Sequence, residues 1–412
     1  MKEGLIPMKK FLALALALVM TVSLAACGSS GSGSAASGSS SAAASGSAAA
    51  TSDYHVAMIT DYGDITDQSF NQTTYEACKT FCEGNSVDFT YYKPAGDSTA
   101  DRVSMVDKAV ADGYNVIVMP GYAFAGTIVQ SAKENPDVKF VALDVAAGDI
   151  LQDALGDKYD YNPANWNVTD YYNSDNVYCA VYQEELCGYM AGYAAVKLGY
   201  TQLGFLGGMA VPAVMRYGYG FVQGADAAAA ETSADVTLNY AYANQFKGDA
   251  DITAAMDTWY AAGTKCVFAC GGGVYTSAAE AAAKVDGKII GVDVDQSGII
   301  DGQYVEGMTV TSAMKGLAAT VNTLLTEIVL NNNWDSYKGQ IQTLGLVSGD
   351  DPTQNYVQIP MDTTQWGDGF TQDDYKALVS KMFDGTVKVS DDISAEQPSA
   401  TNITINFQGN IK

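Results

Sequence analysis

The stretch HVAMITDYGDITDQSFNQTTYEACKTF, residues 55–81, changes character twice. Its apolar run, residues 55–60, reads as a short buried strand. The run breaks into a loop holding Asp61, Gly63, Asp64 and Asp67, and the loop enters a helix near Phe70 with Ser69 or Asp67 as N-cap. In an open α/β sheet the ligand crevice lies beyond the carboxyl ends of the strands. A strand that ends in an acidic loop and turns into a helix is therefore a candidate small-molecule site.

Outward from it, strands and helices alternate. Residues 87–94, 115–121 and 139–145 read as strands, with helices over 101–113 and 125–136 between them. Residues 177–199 read as a strand and a helix, after which the pattern restarts with strands near 202, 236, 266 and 288. Such βαβ repetition predicts α/β lobes with parallel sheets covered on both faces, two in number and joined near residues 180–185. Residues 308–332 add a strand and a long helix. The segment 146–176 reads as a long loop and the chain beyond Trp334 as a looser tail ending in a possible strand, TNITINF. The first lobe is expected to comprise 53–183 plus 310–335, and the second 184–309 with part of 336–412. A cleft between two such lobes is a favoured place for a small ligand.

Composition narrows the chemistry. The 412 residues exceed one ordinary core and suit two domains. With 47 acidic against 22 basic side chains the formal charge is −25, which argues against nucleic acid and against polybasic attachment to anionic lipid. A single histidine, His55, would have to serve any His-dependent triad, zinc site or general base, so enzyme chemistry starts weak.

At the amino end, Lys9 and Lys10 precede an apolar run, residues 11–20, and then Leu24-Ala25-Ala26-Cys27. The run is short for a membrane span, so 1–27 reads as a cleaved targeting segment. Residues 28–52 are almost wholly Gly, Ser and Ala. Such a segment buries too little to offset its ordering entropy, and reads as a disordered tether spanning roughly 25–30 Å.

The motifs at 61–77, 204–225, 268–282, 289–296 and 310–315, together with the lipobox-like tetrad, resemble the basic-membrane-protein (BMP/PnrA-like) lipoproteins. That resemblance implies a type I substrate-binding protein of an ABC transporter, two Rossmann-like lobes joined by a hinge and closing on a nucleoside, chiefly a purine one. It implies acylation of Cys27, a place on the extracytoplasmic face of the cell membrane, an ABC permease and ATPase as partners, a monomer, no cofactor and no covalent chemistry. By the same resemblance Phe70 and Phe246 stack on the base from opposite lobes, Asp61 and Asn71 meet the base edge or ribose, and Gly272 lets backbone approach the ligand. Asp293 accepts from ribose hydroxyls beside Lys315, which would exclude deoxy analogues. Riboflavin, another flat heterocycle, or a sugar is the alternative ligand, and a ligand-sensing surface lipoprotein the alternative role. The chain departs from the family pattern in Gly272-Gly273-Val274-Tyr275 and in Tyr62, a bulky side chain expected near the sugar end.

Plainer readings compete at several positions. Phe70 alone would be a core helix residue; its place after the acidic loop favours the site. Residues 293–301 imitate a calcium loop, but Tyr304 stands where the closing glutamate belongs. No metal is expected. Besides Cys27 there are six cysteines. Cys78 and Cys82 share one helix and Cys266 and Cys270 one strand, where bridging each pair would strain the geometry, so buried free thiols are expected.

Overall fold

The computed structural model describes residues 53–411; the targeting segment, the tether and Cys27 lie outside them. The chain runs β1 (His55–Ile59), α1 (Phe70–Asn85), β2 (Asp88–Tyr92), α2 (Thr99–Ala111), β3 (Val116–Pro120), α3 (Ala125–Glu134), β4 (Lys139–Leu143), α4 (Ala147–Leu155) and β5 (Val177–Tyr182). It then repeats the plan with α5 (Glu184–Lys197), β6 (Gln202–Gly207), α6 (Pro212–Thr232), β7 (Val236–Tyr242), α7 (Ala250–Ala261), β8 (Cys266–Cys270), α8 (Tyr275–Ala282), β9 (Lys288–Asp293), α9 (Ser297–Gln303) and β10 (Thr309–Lys315). Last come α10 (Leu317–Leu325), β11 (Ile341–Leu344), β12 (Val357–Gln358), α11 (Gln372–Phe383) and β13 (Ile403–Asn410).

Two sheets result, ordered β11-β5-β4-β3-β1-β2 and β12-β10-β9-β8-β6-β7-β13. Every pairing is parallel except β10 with β12. In the first sheet β1 lies between β2 and β3, and in the second β6 lies between β7 and β8. Each sheet therefore has its switch point at the carboxyl end of its own first strand, where a crevice opens. The central strands are buried along their length because helices cover both faces.

Three expectations need correction. Residues 310–335 do not all join the first lobe: β10 pairs with β9 in the second sheet, and only after Gly316 does the chain cross, so that α10 packs on α1. Segment 146–176 is not a plain loop. Asp149 accepts from the Ala146 N–H at 2.8 Å to start α4, and Asp160 then accepts from Trp166 Nε1 and Asn165 Nδ2, tying the short turns that follow. The tail holds α11, capped by Thr371 with Asp374 and burying Tyr375, Leu378, Val379 and Met382 at helical spacing. Its final strand is present as β13, parallel to β7. The six cysteines of the described residues are free and buried, as expected.

Helices α5 and α6 touch backbone to backbone. A β-carbon at Gly192 would lie 2.1 Å from the Phe221 carbonyl oxygen, and one at Gly224 would lie 2.0 Å from that of Tyr189. Gly192→Ala must push the helices apart and should cost about 1–3 kcal/mol, read as a lower urea midpoint at unchanged slope.

Candidate ligand-binding site

The acidic loop is built around one carboxylate. Asp67 accepts from the backbone N–H of Ser69, Asn71 and Gln72, all at 3.0 Å, so it caps α1 chemically although Ser69 occupies the N-cap position. The Ser69 hydroxyl is thereby free to reach the second lobe, where it donates to Asp293 Oδ2 at 2.6 Å. Beside it Gln296 Nε2 donates to the Gln68 carbonyl at 3.0 Å. These two bonds hold the lobes together across the cleft.

Asp61 leaves β1 into this loop. Its Oδ1 accepts from Gly63 N–H and Asn71 Nδ2, both at 2.9 Å. Burial pushes its carboxyl up to about 6 against those bonds. Asn71 gives its other amide hydrogen to Asp67 and accepts from Asp61 N–H, so it braces the loop as well as facing the cleft. Gly121 follows β3 with φ +127°, and a β-carbon there would sit 2.5 Å from Asp61 Oδ2.

From the second lobe, the Phe246 ring lies on bare backbone: a β-carbon at Gly208 would meet it at 2.5 Å and one at Gly271 at 3.2 Å. Gly273 N–H donates to the Phe246 carbonyl at 2.9 Å. The glycine run after β8 therefore serves the aromatic ring, with Gly272 facing the same cleft.

The deep end is ionic. Lys315, the last residue of β10, has its Nζ 2.6 Å from Asp144 Oδ2, 3.4 Å from Glu184 Oε1 and 3.6 Å from Asp293 Oδ1. Burial alone would depress the lysine, but Asp144, Asp293 and Glu184 outweigh it and hold its pKa well above the usual range. The same Nζ lies 4.6 Å from the centre of the Phe70 ring. Arg216 Nε donates to Glu184 Oε2 at 2.7 Å, and Tyr217 OH to Asp293 Oδ1 at 3.2 Å. Burial pushes the Asp144 carboxyl up while Lys315 pulls it back, and Asp144 Oδ1 is buried without a hydrogen-bond partner. Asp144 and Asp293 end equivalent strands, both in the left-handed region at φ 61° and 66°.

All seven expected ligand-contact residues, Asp61, Phe70, Asn71, Phe246, Gly272, Asp293 and Lys315, line one cleft between the two sheets. Asp144, Tyr122 and Tyr217 line it too and were not anticipated. The repeat of Leu143-Asp144-Val145 in Val292-Asp293-Val294 is the signal that would have found Asp144. Tyr62 is placed otherwise than expected: it packs on Tyr122 and Phe246 rather than on Asp293 or Lys315. Asp295 and Asp301 accept backbone N–H groups instead of forming a calcium loop, and among the described residues no group of three or more His, Cys, Asp or Glu is set to hold a metal.

A nucleoside-binding relative in Lactococcus lactis subsp. cremoris, the ABC transporter nucleoside-binding protein BmpA, is 28% identical over 258 residues, 60% of this chain and 65% of its own length. Basic membrane protein B of Borreliella burgdorferi is 26% identical over 303 residues, covering 71% of this chain and 79% of that one. The solved ABC transporter solute-binding protein of Conexibacter woesei superposes over 82% of this chain and 99% of its own, with a TM-score of 0.59 at 20% identity, and so shares the type I periplasmic-binding fold. The profile of the family described as ABC transporter substrate-binding protein PnrA-like matches residues 54–352, and the chain belongs to that family.

Proposed function

We propose that this protein captures a nucleoside, a purine nucleoside first, between its two lobes and delivers it to an ABC permease and its ATPase. The observation that carries the reading is the pairing of one aromatic from each lobe, Phe70 and Phe246, in a cleft whose deep end holds Asp144, Asp293 and Lys315. A flat base suits the rings, and stacking is worth roughly 1–3 kcal/mol per base. Ribose hydroxyls suit carboxylates, with the unpartnered Asp144 Oδ1 awaiting a donor. The name of the Lactococcus lactis relative supports the same ligand class. The protein works as a monomer, tethered by acylated Cys27 to the extracytoplasmic face of the membrane. Among the described residues no helix is long and apolar enough to cross a membrane.

Isothermal titration with adenosine, inosine, guanosine, uridine and riboflavin tests the reading. Adenosine, inosine or guanosine should give the tightest binding; no heat from any of the five overturns it. Phe70→Ala and Asp293→Ala should each weaken binding by at least about tenfold. Unchanged affinity in both would put the ligand elsewhere.

A further inference from the structure

Tyr62 departs from the family pattern and is not used by the reading above, yet it stands at the boundary of the cleft. Its ring stacks on Tyr122 of its own lobe, with centroids 6.2 Å apart at 22°, and faces Phe246 of the other lobe at 6.2 Å and 39°. The Tyr62 and Tyr122 hydroxyls are 3.4 Å apart. Behind it, the Arg102 guanidinium lies 5.4 Å from the Tyr62 ring and 5.8 Å from that of Phe124. Arg102 is only 3% exposed and its Nη1 donates to the Asp97 carbonyl at 3.1 Å, so it is a fixed backing rather than a mobile surface cation. Tyr62 therefore cannot swing back into its own lobe, where Arg102 and Phe124 already stand.

The position has a consequence for ligand size. A second cavity lies outside the cleft, lined by Tyr62, Lys93, Gln245 and Lys247, and shares Gly63, Asp67 and Phe246 with the inner one. Tyr62 lines the outer cavity while its stacking partner Tyr122 lines the inner one. It adjoins Asp61, which lines the inner cleft together with Phe70 and Phe246.

We propose that Tyr62, held in place by Arg102, is a specificity-determining lip that limits the base slot at its outer edge, admitting a bicyclic base and rejecting rings extended toward the mouth. The inference rests on the nucleoside reading. It works by exclusion: the extended ligand meets an aromatic side chain whose retreat into its own lobe is taken by Arg102 and Phe124, and this opposes closure of the lobes.

The test is titration of the full protein with adenosine and with adenosine benzylated on its exocyclic amine. Wild type should prefer adenosine by at least about tenfold. Tyr62→Ala should shrink that preference by about tenfold, chiefly through tighter binding of the benzylated ligand, because the two cavities then join. Tyr62→Val is the second variant should the alanine form fold poorly, and Tyr62→Phe, which keeps the ring, should restore the preference. Arg102→Met should loosen the preference in the same direction while leaving the Tyr62 ring in place. Adenosine binding with no discrimination in wild type, or an unchanged ratio in both Tyr62→Ala and Tyr62→Val, overturns the lip and leaves the nucleoside reading standing. No binding of either compound to any form overturns both.

Discussion

Replacing Lys315 with methionine should weaken adenosine binding by at least about a hundredfold and destabilise the fold by about 3–5 kcal/mol at pH 8. The size follows from what the lysine leaves behind. Asp144, Glu184 and Asp293 all lie within 3.6 Å of its Nζ, all three are buried, and among the described residues no other cation is within ion-pair distance of Asp144 or Asp293. Arg216 forms its ion pair with Glu184, Nε to Oε2 at 2.7 Å. Methionine preserves most of the volume and the contact with Phe70, so the loss is one of charge rather than of packing. Burial already pushes the Asp144 carboxyl up against the pull of Lys315; without the cation that rise is unopposed, and a carboxyl raised in the fold stabilises at low pH and loses that contribution as pH rises. The deficit against wild type should therefore be smaller near pH 5 than at pH 8, read as urea midpoints. A variant that binds adenosine like wild type and unfolds at the same urea concentration would remove Lys315 from both roles.

The contrast between Lys315 and its partners explains what could be read from the chain alone. The strand, acidic loop and helix from β1 to α1 are local, and each step has a residue-level signal: an apolar run, a cluster of loop acids, an N-capping Asp67. The end of β9 was equally legible because Asp293 closes a distinctive apolar strand. Asp144 closes β4 in the same way, and the repeat it shares with Asp293 marks its position; its ion pair with a lysine 171 residues away has no such signal. Glu184 and Arg216 sit on α5 and α6, and their ion pair forms where those two helices pack closely, a contact that neither segment signals by itself. The assignment of β10 to the wrong lobe has the same origin. A strand followed by a helix reads identically whichever sheet the strand joins, and the partner β9 decides. Helices α4 and α11 were missed for a different reason. Gly148 sits inside the first turn of α4, and the second begins Gln372-Asp373-Asp374, so neither opens with the apolar spacing that marks a helix.

Glu185 supplies the other large effect, with a sign that can be worked out beforehand. It lies in the first turn of α5, is 3% exposed, and its Oε2 is buried without a hydrogen-bond partner. Burial first, and then the neighbouring Glu184, push its carboxyl from about 4.5 up to about 8, with Arg216 pulling back and Asp391 adding to the rise. Between those values the folded chain holds a proton that the unfolded chain has lost. The contribution is fully present below about pH 4.5 and is lost as pH rises through about 8. Glu185→Gln keeps the shape and removes the titration. Its advantage over wild type should be least near pH 4, grow through neutrality, and level off above about pH 8 at a value larger by on the order of 3–5 kcal/mol, read as paired urea melts across the range. A difference that is flat with pH, or that grows toward acid, would mean that Glu185 is ionised in the folded protein. Arg216 would then have to balance two carboxylates at the start of α5, and the reserve of positive charge that keeps Glu184 paired while Lys315 serves Asp144 and Asp293 would be gone.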